Sequence, residues 1–177
     1  MFKSKFSALF LIAILFIGCS TVPITGRRQL SFIPQSQLIS SSIDSYHQLL
    51  SESKISQDTQ KKQMVVDVGK KIAASAEQFM RENGMEKELQ NYHWEFNLIE
   101  EDKTVNAFCM PGGKIAVYTG ILPVTQDEDG LAVVLGHEVA HALANHGAQR
   151  MSAGQLQELG AVGVAVATGG KSAEQQQ

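Results

Sequence analysis

The stretch Leu135–His146, LGHEVAHALANH, constrains this chain more than any other. From Leu131 onward the apolar residues recur at helical spacing, and Leu131, Ala132, Val133, Val134, Leu135, Val139, Ala140, Ala142 and Leu143 make the helix apolar nearly all round. Such a helix is expected to be buried. Two imidazoles and a carboxylate inside it would each carry a desolvation cost of a few kcal/mol unless something pairs with them. His137 and His141 are four residues apart, so they project about 40° apart on successive turns, where both rings can address one ion. Glu138 lies about 100° from His137, near enough to act on a water at that ion.

The chemistry that needs this set is metal-assisted hydrolysis. A catalytic zinc takes three protein ligands and keeps one position open, while an adjacent carboxylate accepts a proton from the attacking water. His137 and His141 are the candidate ligands and Glu138 the candidate general base. A third ligand is not evident. His146 sits nine residues after His137, roughly half a turn away around the helix, and reads as a C-terminal or packing histidine. Glu158 and Glu174 are the later carboxylates, and each reads more readily as a surface or tail residue.

Upstream, Leu38–Asn83 carries apolar residues at helical spacing in two blocks separated by SESKISQD, and Asn83-Gly84 supplies a helix stop. Residues 92–99, YHWEFNLI, read as a strand. Residues 104–110 and 114–119 flank Pro111-Gly112-Gly113, which predicts a hairpin with a type II turn. Thr125 and Glu128 have the spacing of a capping box ahead of the histidine helix, which is expected to run to about Arg150. His47 and His93 have no partner at ligand spacing and read as packing or surface residues. Cys109 reads as a small buried apolar residue rather than a nucleophile.

The N-terminus has the layout of a secretory leader: Lys3 and Lys5, an apolar run over 7–17, then Gly18-Cys19-Ser20. Residues 1–18 are therefore expected to be a signal peptide, Cys19 a lipid-bearing mature N-terminus, residues 19–37 a tether, and residues 38–177 the start of one domain. With 15 Lys and Arg against 18 Asp and Glu, the chain lacks the basic excess of a nucleic-acid binder.

Taken together, the post-leader CSTVPITGRRQL, Asn106-Ala107-Phe108 with Pro111-Gly112-Gly113, Tyr118-Thr119-Gly120-Ile121-Leu122, and His137-Glu138-Val139-Ala140-His141 resemble one gluzincin family. It is that of the CAAX prenyl endopeptidases, the HtpX heat-shock membrane proteases and the periplasmic lipoprotein or β-barrel-assembly-enhancing metalloproteases. The resemblance implies an α+β, zincin-like metalloprotease fold, mostly helical, with a small sheet beside the histidine helix. It also implies a Zn2+ cofactor held by His137 and His141, with Glu138 as base. Asn106, Ala107 and Phe108 match the segment that would receive an extended or unfolded protein substrate. The third ligand of the family is a Glu well downstream, which no residue here matches, so the chain reads as the N-terminal portion of such a domain. The location implied is the bacterial envelope, as a periplasm-facing, outer-membrane lipoprotein in contact with membrane and envelope-assembly machinery. The alternative function is a catalytically incomplete lipoprotein acting as a holdase-like, protein-binding module.

Overall fold

The computed structural model describes residues 19–21, 28–30 and 34–145. The leader, His146, Glu158 and Glu174 lie outside the described residues, as does the side chain of Cys19. Where a plain tether is expected, β1 (Cys19–Thr21) and β2 (Arg28–Leu30) pair antiparallel, Cys19 opposite Leu30. Pairing satisfies main-chain groups that an isolated extended strand would leave to water.

Two helices follow, with the expected break between them. Helix α1 (Gln35–Glu52) buries Leu38 and Tyr46. Helix α2 (Thr59–Glu82) begins at Asp58, whose carboxylate accepts from the Lys61 amide at 3.0 Å. It buries Val65, Val68, Gly69, Ala73, Ala76 and Met80, a stripe at three- and four-residue spacing. Its end is set by Gly84 at φ +69°: the Met85 amide donates to Met80 and the Gly84 amide to Arg81, closing the helix where Asn83-Gly84 predicts. A single turn, α3 (Glu86–Leu89), leads into the sheet.

The sheet has three strands, β3 (Glu95–Ile99), β4 (Ala107–Met110) and β5 (Lys114–Tyr118), in the order β3-β5-β4. The hairpin β4–β5 is antiparallel, and its turn has the expected type II form: the Gly113 amide donates to Met110, with Gly112 at φ +86°. Gly113 also lies under the Trp94 ring, where a Cβ would approach to 2.7 Å. Both glycines are thus explained by the turn and its packing. Strand β3 joins β5 in parallel, Glu95 opposite Lys114.

Because side chains alternate along β5, its two faces meet different layers. Ile115 and Val117 enter the main core with Val65, Val68, Leu131 and Leu135, whereas Ala116 packs with Tyr46 and Ile99 beneath α1. Tyr46 fastens that second layer: its hydroxyl donates to the Ile115 carbonyl at 2.6 Å and accepts from Asn97 Nδ2 at 3.1 Å. Burial pushes the Tyr46 phenol well above its ordinary range. The architecture is the mostly helical α+β arrangement with a small sheet beside the histidine helix. Among the described residues, no helix is long and apolar enough to cross a membrane.

Candidate metal centre

After β5 the chain makes a 3₁₀ turn (Thr119–Ile121) and a short helix, α4 (Leu122–Thr125), before α5 (Glu128–Leu143), which carries the histidines. Thr119 ties this turn to the preceding loop: its hydroxyl accepts from the Glu101 amide at 2.9 Å and donates to Asp102 Oδ1 at 2.6 Å. Gly120 lies against the carbonyls of Asp102 and Thr104, closer than any Cβ would allow. The Tyr-Thr-Gly-Ile-Leu motif therefore aims the chain into α5.

Two expectations about α5 need correction. The capping residue is Asp127, whose carboxylate accepts from the Gly130 amide at 2.9 Å. Thr125 instead ends α4 and donates to the Leu122 carbonyl, and Gln126 at φ +67° separates the two helices. A hydroxyl spent on its own helix cannot cap the next. The described helix also stops at Leu143, with Asn145 at φ +54° forming a left-handed cap, rather than running to Arg150.

Nor is α5 buried all round. Leu131, Leu135, Val139, Ala142 and Leu143 face the core, but Val133 is 74% exposed, and His137 and Ala140 are exposed too. Helix α5 packs on α2 along one side and on β4 along another, leaving the rest open to solvent. The histidines sit on that open side.

There His137 Nε2 and His141 Nε2 are 2.9 Å apart, with ring centroids at 4.3 Å and planes at 81°. Two imidazole nitrogens this close either share a proton or point at a common electrophile. Nitrogens on one tetrahedral zinc, at Zn–N distances of about 2.0–2.1 Å, would be about 3.3 Å apart, so a small opening of the rings accommodates the ion. The donor set fits zinc. Among the described residues no group of three His, Cys, Asp or Glu side chains is placed to hold a metal.

Glu138, next to His137 in sequence, is half-buried. Its closeness to the strand registers on Cys109, whose thiol is pushed up to about 12, first by burial and then by the Glu138 charge. A thiol held protonated at neutral pH is no nucleophile, in line with the sequence reading of Cys109. His47 lies on α1 and His93 just before β3, outside the helix that carries the pair.

Asn106, Ala107 and Phe108 lie at the start of β4, beside α5. The Tyr118 amide donates to the Asn106 carbonyl at 3.0 Å. By antiparallel alternation Phe108 and Met110 also turn their main-chain groups toward β5, so Ala107 and Cys109 present theirs to the outer edge. Phe108 packs against Tyr118, ring centroids 6.4 Å apart, on the α1 side of the sheet. Among the described residues no strand pairs with this edge of β4, where Ala107 is buried and Cys109 half-buried. Which main-chain groups of β4 face outward is fixed only by the register with β5, which period-two alternation does not contain.

Comparison with known proteins accords with this geometry. Peptidase family M48 matches residues 67–177. The mitochondrial metalloendopeptidase OMA1 of Schizosaccharomyces pombe is 48% identical over 64 residues, 36% of this chain and 19% of that protein. The human mitochondrial metalloendopeptidase OMA1 is 29% identical over 147 residues, 83% of this chain and 27% of that protein. A Vibrio cholerae protein provisionally named a beta-barrel assembly-enhancing protease is 40% identical over 50 residues, 28% of this chain and 10% of that protein. This chain spans at most 27% of the length of the curated relatives it matches.

The expected location is corrected by these matches. A bacterial, periplasm-facing outer-membrane lipoprotein is overturned because the OMA1 relatives are mitochondrial proteins. An apolar leader before one Cys is a compositional pattern that different compartments can share.

Proposed function

The chain belongs to peptidase family M48, and on that premise we propose that it supplies the metal-binding helix and substrate edge of a zinc-dependent endopeptidase acting on extended or misfolded protein. The observation that carries this reading is the convergence of His137 and His141 Nε2, 2.9 Å apart on α5, with the adjacent Glu138 close enough to β4 for its charge to act on Cys109.

His137 and His141 would hold a zinc ion through their Nε2 atoms. When bound, zinc supplies Lewis acidity, polarising a peptide carbonyl and acidifying water. Glu138 accepts the proton of the attacking water and delivers it to the departing amide nitrogen, so the carboxylate ends each cycle as it began. Ala107 and Cys109 pair main chain to main chain with the substrate, which must be extended to reach them. This accounts for a preference for unfolded segments, because a folded substrate has its own main-chain groups already paired.

A second reading is a protein-binding module without hydrolysis. It is favoured by the absence, among the described residues, of a third side chain grouped with the two histidines. Incubation with a permanently unfolded protein separates the two. The peptidase reading expects cleavage that a zinc chelator stops and equimolar zinc restores. Cleavage indifferent to the chelator contradicts it, and zinc-loaded protein that binds this substrate without cutting it supports the binding module.

A further inference from the structure

The joint between α4 and α5 turns on one residue in an unfavourable conformation. Gln126 has φ +67° and ψ −50°, and the Asp127 amide donates across it to the Thr125 carbonyl at 2.8 Å. This is the positive-φ form of the γ-turn, which is rare and strained for any residue with a Cβ. Gln126 is exposed, so packing of its own side chain does little to offset the strain. The flanks hold it in place. On one side Leu122 and Thr125 are buried, and the Gln126 amide donates to the Leu122 carbonyl at 3.0 Å. On the other, the Asp127 carboxylate accepts from the Gly130 amide and the Asp127 carbonyl from the Leu131 amide. The Thr125 carbonyl oxygen also sits against Gly130, where a Cβ would overlap it. One oxygen thus accepts the hydrogen bond of the turn and fills the notch that Gly130 leaves.

Gly130 precedes His137 by seven residues, two helical turns, and so shares its side of α5 ~10 Å along the axis. A joint locked there fixes where α5 begins and how it is rotated against α2 and β4, on which it packs. The approach of His137 to His141 does not depend on it, because one turn of helix sets that distance. Strain held by well-anchored flanks recurs where a site depends on placement. We propose that Gln126 is a positioning residue: its strained turn, seated on Gly130, holds α5 at the height and rotation that set Glu138 against a substrate on β4. The expected effect on rate rests on the peptidase reading, whereas the expected effect on α5 rests on backbone geometry alone.

The test compares Gln126→Gly, which relieves the positive φ, with Gln126→Ala, which keeps a Cβ there. In urea titrations Gln126→Gly is expected to shift the unfolding equilibrium about fivefold toward the folded state relative to Gln126→Ala, relief of strain outweighing the added freedom of glycine in the unfolded chain. Hydrogen exchange of the α5 amides, measured without metal, is expected to be roughly tenfold faster in this more stable protein, because a relaxed joint lets the helix move locally. With zinc supplied, kcat on an unfolded protein is expected to fall about tenfold while zinc affinity stays within about twofold. A Gln126→Gly chain no more stable than Gln126→Ala overturns the proposal, since the turn then stores no strain. Greater stability with α5 exchange unchanged or slower overturns it too, as does a kcat unchanged within about threefold. If the unaltered chain does not cut the substrate, the peptidase reading fails, and the stability and exchange results still decide whether the joint holds α5.

Discussion

Replacing Glu138 by Gln is expected to lower hydrolysis of an unfolded protein by about 10²–10⁴-fold while leaving its binding unchanged. The amide has the shape of the carboxylate but no basic oxygen for the proton of the attacking water. The proposed substrate edge, the main chain of Ala107 and Cys109, is untouched by this change, and so is the convergence of His137 and His141. Steady-state kinetics should therefore show the loss in kcat with KM nearly constant. Activity within about threefold of the unaltered protein would remove Glu138 from the role of base.

A second large effect is expected at Leu135. This side chain is fully buried, on the face of α5 turned away from the histidines, in the core shared with Val65, Val68, Ile115 and Val117. Leu135→Ala removes three buried carbons and leaves a cavity, so unfolding free energy should fall by about 2–5 kcal/mol in urea titrations. Because α5 also carries the proposed metal ligands, part of that loss should be recovered by saturating zinc if it binds only the folded helix. A loss under about 1 kcal/mol would mean that the buried face of α5 is not what seats it.

The sequence made the helices legible wherever caps and periodicity agreed. The break between α1 and α2 and the Asn83-Gly84 stop are local signals, and the structure follows them. Type II geometry at Pro111-Gly112 is local as well. What could not be read depends on tertiary context. Hydropathy alone made α5 appear buried all round, because Val133 and Ala140 are as apolar as residues in the core, yet they face solvent beside the metal pair. Thr125 and Asp127 are both good capping residues, and only the left-handed Gln126 between them assigns the cap to Asp127. The parallel pairing of β3 with β5, and with it the identity of the open edge, is a long-range contact that no spacing rule contains. His137, Glu138 and His141 were legible because one helical turn brings them together without help from the rest of the fold.

Titration of the chain with zinc at neutral pH, followed by calorimetry, addresses the central claim most directly. The account predicts one zinc per chain, bound through His137 and His141, with binding lost in a His137→Ala, His141→Ala variant. Binding that is equally tight in that variant, or no binding by the unaltered chain, would contradict it.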